Sequence, residues 1–174
     1  MMDTITVREN GADLTFGWED LLRYHGGGFP GGVVHGLKAM QAAFRLLSDD
    51  PPERREIVVA TAFTGPGGRD AIEHVTRALT DGRLTVDRSL GGAHPIDDPP
   101  GPYLFRFAYR GRRVEATVLP GHVRADFIAL GAKPDRSPDE EARLTALKAE
   151  MAQRLLPLPA DAVYAARLLP PATG

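Results

Sequence analysis

Residues 103–119, YLFRFAYRGRRVEATVL, determine the fold class predicted for this chain. Apolar and polar side chains alternate on both sides of the Gly111-Arg112 pair, which predicts an antiparallel hairpin of strands 103–110 and 113–119. An aromatic face of this kind is more typical of core packing than of a base-stacking surface. The residues predicted to face the core are Tyr103, Phe105, Phe107 and Tyr109 in the first strand and Val114, Ala116 and Val118 in the second.

Two long helices lie on either side of this hairpin in the sequence. Apolar residues recur at helical spacing over 33–47, and a second helix follows the SPDE sequence at 137–140. In that sequence Ser137 is the N-cap, Pro138 is the first helical residue and Glu140 completes a capping box. The residues predicted to be buried are Val33, Leu37, Met40, Phe44 and Leu47 in the first helix and Leu144, Leu147, Met151 and Leu155 in the second.

Shorter elements fill the rest of the predicted fold. Asn10-Gly11 predicts a turn between strands 4–7 and 13–16, and the β-branched run 57–63 predicts a central strand covered on both faces. The remaining predictions are helices at 18–24, at about 69–80 with Ile72, Val75 and Leu79 inward, and at 160–168, a short strand at 84–86 and a loop at 91–102. Helices mixed with a mostly antiparallel sheet predict an α+β fold.

The composition limits the classes of function. The 174 residues predict one domain over 1–174, and a formal net charge of −2 argues against a general nucleic-acid binder. No apolar run is long enough for a membrane span and no signal pattern opens the chain, so we expect a cytoplasmic protein with no membrane partner. Without cysteine there is no disulfide, thiolate nucleophile or thiolate metal site.

The segment RYHGGGFPGG at 23–32 is the first candidate site. His25 is the candidate general base or metal ligand, because an imidazole titrates near neutral pH; a surface loop histidine or a helix-end cap is the alternative. Glycines in such a loop let backbone amides approach an anion at the next helix, although a simple turn has the same composition. The glycines proposed here as ligand-binding are Gly26, Gly27, Gly31 and Gly32.

A second glycine loop, at 64–70, follows the predicted central strand. Gly67 and Gly68 are candidate ligand-binding residues, and Arg69 is a candidate anion-binding side chain or a solvated arginine. Asp70 and His74 are four residues apart on one helix face, which suits metal ligation with His25, for example of Zn²⁺ or Ni²⁺, and equally suits a cap beside an exposed histidine. His35 is expected to face solvent or another element, and His94 and His122 to be structural or incidental.

Three segments together resemble the FmdE family, which takes its name from a component of formylmethanofuran dehydrogenase. The loop at 24–32 with its following helix resembles that family's histidine-glycine-histidine loop, and residues 58–72 resemble its strand, small-residue turn and Asp-Ala-Ile helix start. Residues 126–141 resemble its carboxy-terminal layout. The resemblance covers about 17–168, leaving a possible hairpin at 1–16 and a short tail at 169–174, and it implies an α+β core, a homodimer and a metal or ligand site near the loop.

The chain also departs from that family. Gly27 stands where the resemblance implies a second histidine, Phe29 or Pro30 stands at the cysteine position, and the cysteine-rich zinc finger of some relatives has no counterpart. We therefore expect binding of a small molecule or divalent metal near 25–32 and 64–74 without thiol chemistry. Two alternatives stay open: an enzyme with a rebuilt site that uses His25 as base, and a dimeric interaction subunit.

Overall fold

A computed structural model describes residues 3–91 and 102–172. In these two ranges the chain has the predicted α+β class, with helices packed against a mostly antiparallel sheet. None of the helices in the described ranges is both long and apolar enough to cross a membrane. The elements are β1 (Thr4–Glu9), β2 (Ala12–Gly17), α1 (Trp18–His25), α2 (Pro30–Leu47), β3 (Val58–Thr61), α3 (Pro66–Thr76), β4 (Leu84–Val86), β5 (Leu104–Tyr109), β6 (Arg112–Val118), α4 (Ala125–Ala132), α5 (Pro138–Leu155) and β7 (Tyr164–Leu168).

The main sheet has five strands in the order β4-β3-β5-β6-β7. Only β3 and β4 are parallel in it, and the predicted hairpin forms its β5-β6 pair. The hairpin turn is at Arg110 and Gly111, one residue earlier than predicted, because these two residues have the positive φ angles of 45° and 84° that a two-residue turn needs. The predicted inner residues from Phe105 to Val118 are buried.

The prediction that the central strand is covered on both faces is wrong. β3 does lie inside the sheet, but Val58 is 49% exposed while Val59 is buried. Helix α2 packs against β5, β6 and β7 on one face. The opposite face carries Glu115, which is paired with Arg106 at 2.8 Å and with Arg167 at 2.8 Å across three neighbouring strands. A run of β-branched residues therefore does not by itself indicate that both faces of a strand pack against apolar neighbours.

Helix α2 is the central element of the helical layer. It begins at Pro30, three residues before the predicted start, and it contacts α3, α5 and the sheet. Because neighbours surround it, side chains outside the predicted apolar stripe are buried as well. His35, for which solvent or another element was predicted, is fully buried and faces β7, and Lys38 is buried with its Nζ donating to the carbonyl of Leu158.

Helix α3 ends earlier than predicted, at Thr76. Arg77 adopts the left-handed conformation with φ of 59°, and the Glu73 carboxylate accepts the backbone N–H groups of Leu79 and Thr80 at 2.7 and 3.1 Å. These side-chain hydrogen bonds take the place of the backbone hydrogen bonds that would continue the helix, and the chain turns away from the helix after Thr76. Leu79 is consequently 43% exposed, so its assignment to the inner face was wrong.

The carboxy-terminal part differs most from the prediction. Helix α4 was not predicted, whereas α5 has the predicted Ser137 cap and capping box. The predicted helix over 160–168 is wrong: a single turn at Ala160–Ala162 leads into β7, whose backbone pairs with the free edge of β6. The Asn10-Gly11 hairpin forms as predicted. Most of the predicted 91–102 loop, including His94, lies outside the described residues.

Candidate functional site

His25 closes the first glycine loop through both of its ring nitrogens. Nδ1 lies 2.8 Å from Oδ2 of Asp70, and Nε2 accepts the backbone N–H of Phe29 at 3.0 Å. Since Nε2 accepts a hydrogen bond, the hydrogen-bond pattern assigns the proton of the neutral ring to Nδ1, which donates to Asp70. Gly26 and Gly27, with φ of 89° and 85°, allow the chain to leave α1 and return toward α3. The arrangement ties α1, the loop and α3 together.

The predicted metal ligands are only partly brought together. His25 contacts Asp70, but His74 packs its ring against Phe16 and Tyr24, with both pairs of ring centroids 4.9 Å apart. Burial, reinforced by the nearby Arg54 charge, lowers the pKa of His74. Within residues 3–91 and 102–172, no group of three or more potential metal-ligating side chains has the arrangement of a metal site. The metal site stays a prediction, and the described contacts assign His25 a structural role.

The glycines of both loops bring α2 and α3 into contact. A Cβ atom on Gly67 would meet the Phe29 carbonyl and lie 2.9 Å from the Val33 nitrogen, and one on Gly32 would lie 3.1 Å from the Gly68 nitrogen. The distances at Gly67 are too short for a side chain and the one at Gly32 is tight, so the first turns of the two helices pack backbone against backbone. The glycines thus have a packing role that the sequence interpretation, which emphasised anion binding, did not identify.

A cavity of about 500 Å³ opens beside this helix pair. Three of the predicted ligand-binding glycines line it, Gly31, Gly32 and Gly67, whereas Arg69 is exposed elsewhere. Helices α4 and α5 form the opposite wall, and Pro102 and Tyr103 lie at another side. The apolar lining side chains are Phe29, Phe63, Phe127, Leu144 and Met151.

Positive charge is concentrated on one side of the cavity. The first turns of α2 and α3 both border it, and neither helix has a side-chain cap for its amino-terminal amides. Lys148 on α5 lies with Nζ 3.8 Å above the Phe29 ring, and burial, followed by the Arg136 charge, lowers the pKa of Lys148. In the described ranges Lys148 forms no ion pair with a carboxylate.

Arg136 also lines the cavity, but its guanidinium group already donates hydrogen bonds to other residues of the protein. Its Nε donates to Glu141 at 2.8 Å, and one terminal nitrogen donates to the carbonyls of Leu130, Gly131 and Lys133. Arg136 therefore holds the end of α4 beside the start of α5. Lys148 is the better candidate for contact with a bound anion, because its ammonium group has no such protein partners in the described part of the chain.

The deepest part of the cavity contains two buried polar side chains. His35 Nδ1 lies 2.8 Å from the Tyr164 hydroxyl, while His35 Nε2 has no hydrogen-bond partner among the described residues. The Tyr103 ring lies 4.7 Å from the His35 ring, centroid to centroid. Burial lowers the pKa of His35 to about 3, helped by the charges of His122 and Arg154, so this ring is neutral at physiological pH.

Sequence reasoning pointed to two loops that border this cavity, but it did not assign Lys148 of α5 or Tyr103, just before β5, to a site. Lys148 follows Leu144 by four residues and precedes Met151 by three, so helical spacing alone assigns it to the buried stripe of α5. That signal was available in the sequence. Tyr103 was assigned to the core, and nothing local distinguishes it from Phe105 or Phe107, which do not line the cavity.

Comparisons with known proteins do not assign this chain to a family. No protein-family model matches the chain. A search of curated proteins also found no match. The resemblance to the FmdE family therefore stays a prediction.

Proposed function

We propose that this protein binds a small organic anion with an apolar, preferably aromatic, body in the cavity between α2, α3 and α5. The observation that carries the proposal is the juxtaposition of two uncapped helix amino termini and the Lys148 ammonium group around one apolar cavity. A volume of about 500 Å³ falls in the range of ordinary small-molecule sites.

Electrostatics support an anionic group at the helix ends. Exposed amides at a helix amino terminus carry a partial positive charge, and the close packing of α2 on α3 brings two such ends to the same cavity. The Lys148 ammonium group adds a full charge beside Phe29. A carboxylate or phosphate at this end would be stabilised by all three groups.

The remaining walls favour an apolar body. Phe29, Phe63 and Phe127 offer ring faces and edges, and Leu144 and Met151 add aliphatic surface. Aromatic side chains pack well against flat ligands because edge-to-face and offset contacts are favourable. A compact inorganic anion would leave this apolar surface unused.

The proposal needs neither catalysis nor a metal. It retains the small-ligand hypothesis from the sequence, for the same two glycine loops and without thiol chemistry. The described contacts do not support the alternative in which His25 is a general base. A base needs a free lone pair, and the lone pair on His25 Nε2 already accepts the backbone N–H of Phe29. Membership of the FmdE family, a homodimer, a cytoplasmic location and a role as an interaction subunit remain predictions from the sequence.

Calorimetry with a matched pair of probes tests the proposal. We expect 3-phenylpropanoate to bind roughly tenfold more tightly than the neutral 3-phenylpropanamide, since a hydrogen bond to a charged group contributes about 1.5–3 kcal/mol. Lys148→Met keeps an apolar side chain without the charge, and it should reduce the preference for the carboxylate over the amide, leaving only the part that the two helix amino termini supply.

Arg143→Gln is the control for a general change in charge. Arg143 is on the same helix, is solvent-exposed and does not line the cavity, so this variant should retain the preference for the carboxylate. Equal affinities of the wild-type protein for the two probes, or no binding of either, would contradict the proposed function.

A further inference from the structure

The inner end of the cavity differs chemically from its positively charged end. His35 and Tyr103 lie there, between the ring of Phe63 and the β7 residue Tyr164. His35 has no solvent-exposed surface and Tyr103 is only 8% exposed. The Nε2 atom of His35 is buried from bulk water, so its hydrogen-bond partner must come from the protein or from a molecule in the cavity.

His35 uses one ring nitrogen and leaves the other unpaired. Its Nδ1 is bound to the Tyr164 hydroxyl at 2.8 Å, whereas Nε2 has no partner in the described part of the chain. A buried donor or acceptor without a partner costs about 1–3 kcal/mol. The histidine therefore destabilises the folded protein relative to an apolar residue of similar size unless something pairs with Nε2.

Tyr103, which directly precedes β5, brings a second polar atom to the cavity, and its hydroxyl is not among the buried unpaired side-chain atoms. Its ring contacts both His35 and Phe63, at centroid distances of 4.7 and 5.1 Å, and its hydroxyl forms no hydrogen bond with the described residues. Burial raises the pKa of Tyr103 to about 12, so the hydroxyl keeps its proton and can donate. Two adjacent side chains from different elements thus offer unpaired polar atoms to one cavity.

We infer that His35 and Tyr103 bind a hydroxyl group of the ligand at the inner end of the cavity, opposite its anionic group. This inference rests on the proposed function and narrows its ligand class to hydroxylated aromatic acids. A hydroxyl group fits because it donates and accepts at once. It can therefore pair with Tyr103 and with either neutral tautomer of His35, whichever direction the bond to Tyr164 takes.

A charged group is a poor fit for the same position. The position is mostly buried and surrounded by aromatic rings, and a carboxylate there would lose much of its hydration without a cation beside it. The cationic side chain of Lys148 instead lies over Phe29, which is not one of the rings in contact with His35 or Tyr103. The ligand orientation follows: the anion lies near Lys148 and the hydroxyl group near His35.

The test compares 3-phenylpropanoate with 3-(4-hydroxyphenyl)propanoate by calorimetry. The para hydroxyl group points away from the carboxylate, as the proposed orientation requires. We expect the wild-type protein to bind the hydroxylated acid roughly tenfold more tightly, because it gains about one satisfied pair of buried polar groups. Tyr103→Phe and His35→Leu should each reduce this preference, measured in each variant as the ratio of its affinities for the two acids.

Tyr109→Phe is the matched control. Tyr109 is also buried in β5, but its hydroxyl accepts the backbone N–H of Glu53 and the residue does not line the cavity. This variant should retain the full preference. Because the Tyr103 hydroxyl makes no bond in the described structure, Tyr103→Phe is expected to fold normally. The inference can therefore be tested with this variant even if His35→Leu does not fold.

The outcomes separate the two proposals. Binding of 3-phenylpropanoate that depends on Lys148, with no gain from the hydroxyl group or with a gain that survives Tyr103→Phe, would overturn this inference and leave the proposed function standing. Failure of the wild-type protein to bind either acid would overturn both. A preference lost in Tyr103→Phe and kept in Tyr109→Phe would establish the inner hydroxyl site.

Discussion

His25 and His35 are ten residues apart and have opposite roles in the structure. His25 is conspicuous in the sequence, at the head of five glycines, yet both of its ring nitrogens are bound within the protein. His35 is hidden inside a long, largely buried helix, yet among the described residues one of its nitrogens has no hydrogen-bond partner, and the residue lines a cavity. The comparison teaches that a buried hydrogen-bonding atom without a protein partner is a better indicator of a candidate ligand contact than a glycine-rich loop.

The largest expected effect comes from the glycine contact that positions both histidines. In Gly67→Ala the new Cβ would meet the Phe29 carbonyl and lie 2.9 Å from the Val33 nitrogen, so α2 and α3 must separate. We expect a loss of about 3 kcal/mol in the free energy of unfolding, measured by urea denaturation. Gly28→Ala is the control, since a Cβ there meets nothing within 4 Å, and it should change stability by less than about 0.5 kcal/mol.

A pH titration of stability distinguishes the buried histidine. Burial lowers the pKa of His35 to about 3 from an ordinary value of 6.5, so the unfolded chain binds the proton more tightly. The folded state should then lose stability as the pH falls below about 6.5, by about 2 kcal/mol between pH 7 and pH 5. The double variant His35→Leu, Tyr164→Phe removes the imidazole that would bind this proton, together with the hydroxyl group that is hydrogen-bonded to it.

Chemical denaturation across that pH range measures the difference. The wild-type curve should fall relative to the double variant as the pH decreases, with a slope approaching 1.4 kcal/mol per pH unit. Parallel curves for the two proteins would show that His35 does not resist protonation, and the contrast with His25 would lose its basis.

A double-mutant cycle tests the structural role of His25. Alanine at His25, at Asp70 and at both positions should reveal a coupling of about 1 kcal/mol, because the 2.8 Å bond between them is broken by either change. Urea denaturation of the four proteins provides the coupling. Additive effects would mean that the two side chains do not interact, which would make His25 available for the chemistry that the sequence suggested.

The smallest effect is expected at Tyr103. Since its hydroxyl has no hydrogen-bond partner in the described structure, Tyr103→Phe should alter the free energy of unfolding by less than about 0.5 kcal/mol. A large loss of stability would indicate that the hydroxyl is already paired within the protein. In that case it would not be free for a ligand.

Local patterns predicted the elements whose partners lie nearby in the chain. The β5-β6 hairpin and the Ser137 cap depend on residues within a few positions of each other, and both were correct. The fate of residues 160–168 depended on the open edge of β6, about fifty residues earlier, so a helical interpretation could not be excluded locally. Leu79 was misassigned because the Glu73 carboxylate ended α3 before it.

The candidate site shows the same limit on prediction. The two glycine loops were identified as a site region because their composition is unusual over a few residues. The side chains that give the cavity its chemistry come from α5 and from the start of β5, more than seventy residues from the first loop. Their approach follows from the packing of α2 against α5 and the sheet, which no local pattern specifies.

The bond between His35 and Tyr164 also has a consequence for synthesis. It joins positions 129 residues apart, and α2 cannot cover its inner surface until β7 has been made. At a translation rate of 5–20 residues per second, that interval lasts roughly 6–26 seconds. Helix α2, most of whose residues are buried in the folded protein, therefore emerges early and remains without its last partner, so the nascent chain is the form in which we expect chaperone binding and aggregation to compete with folding.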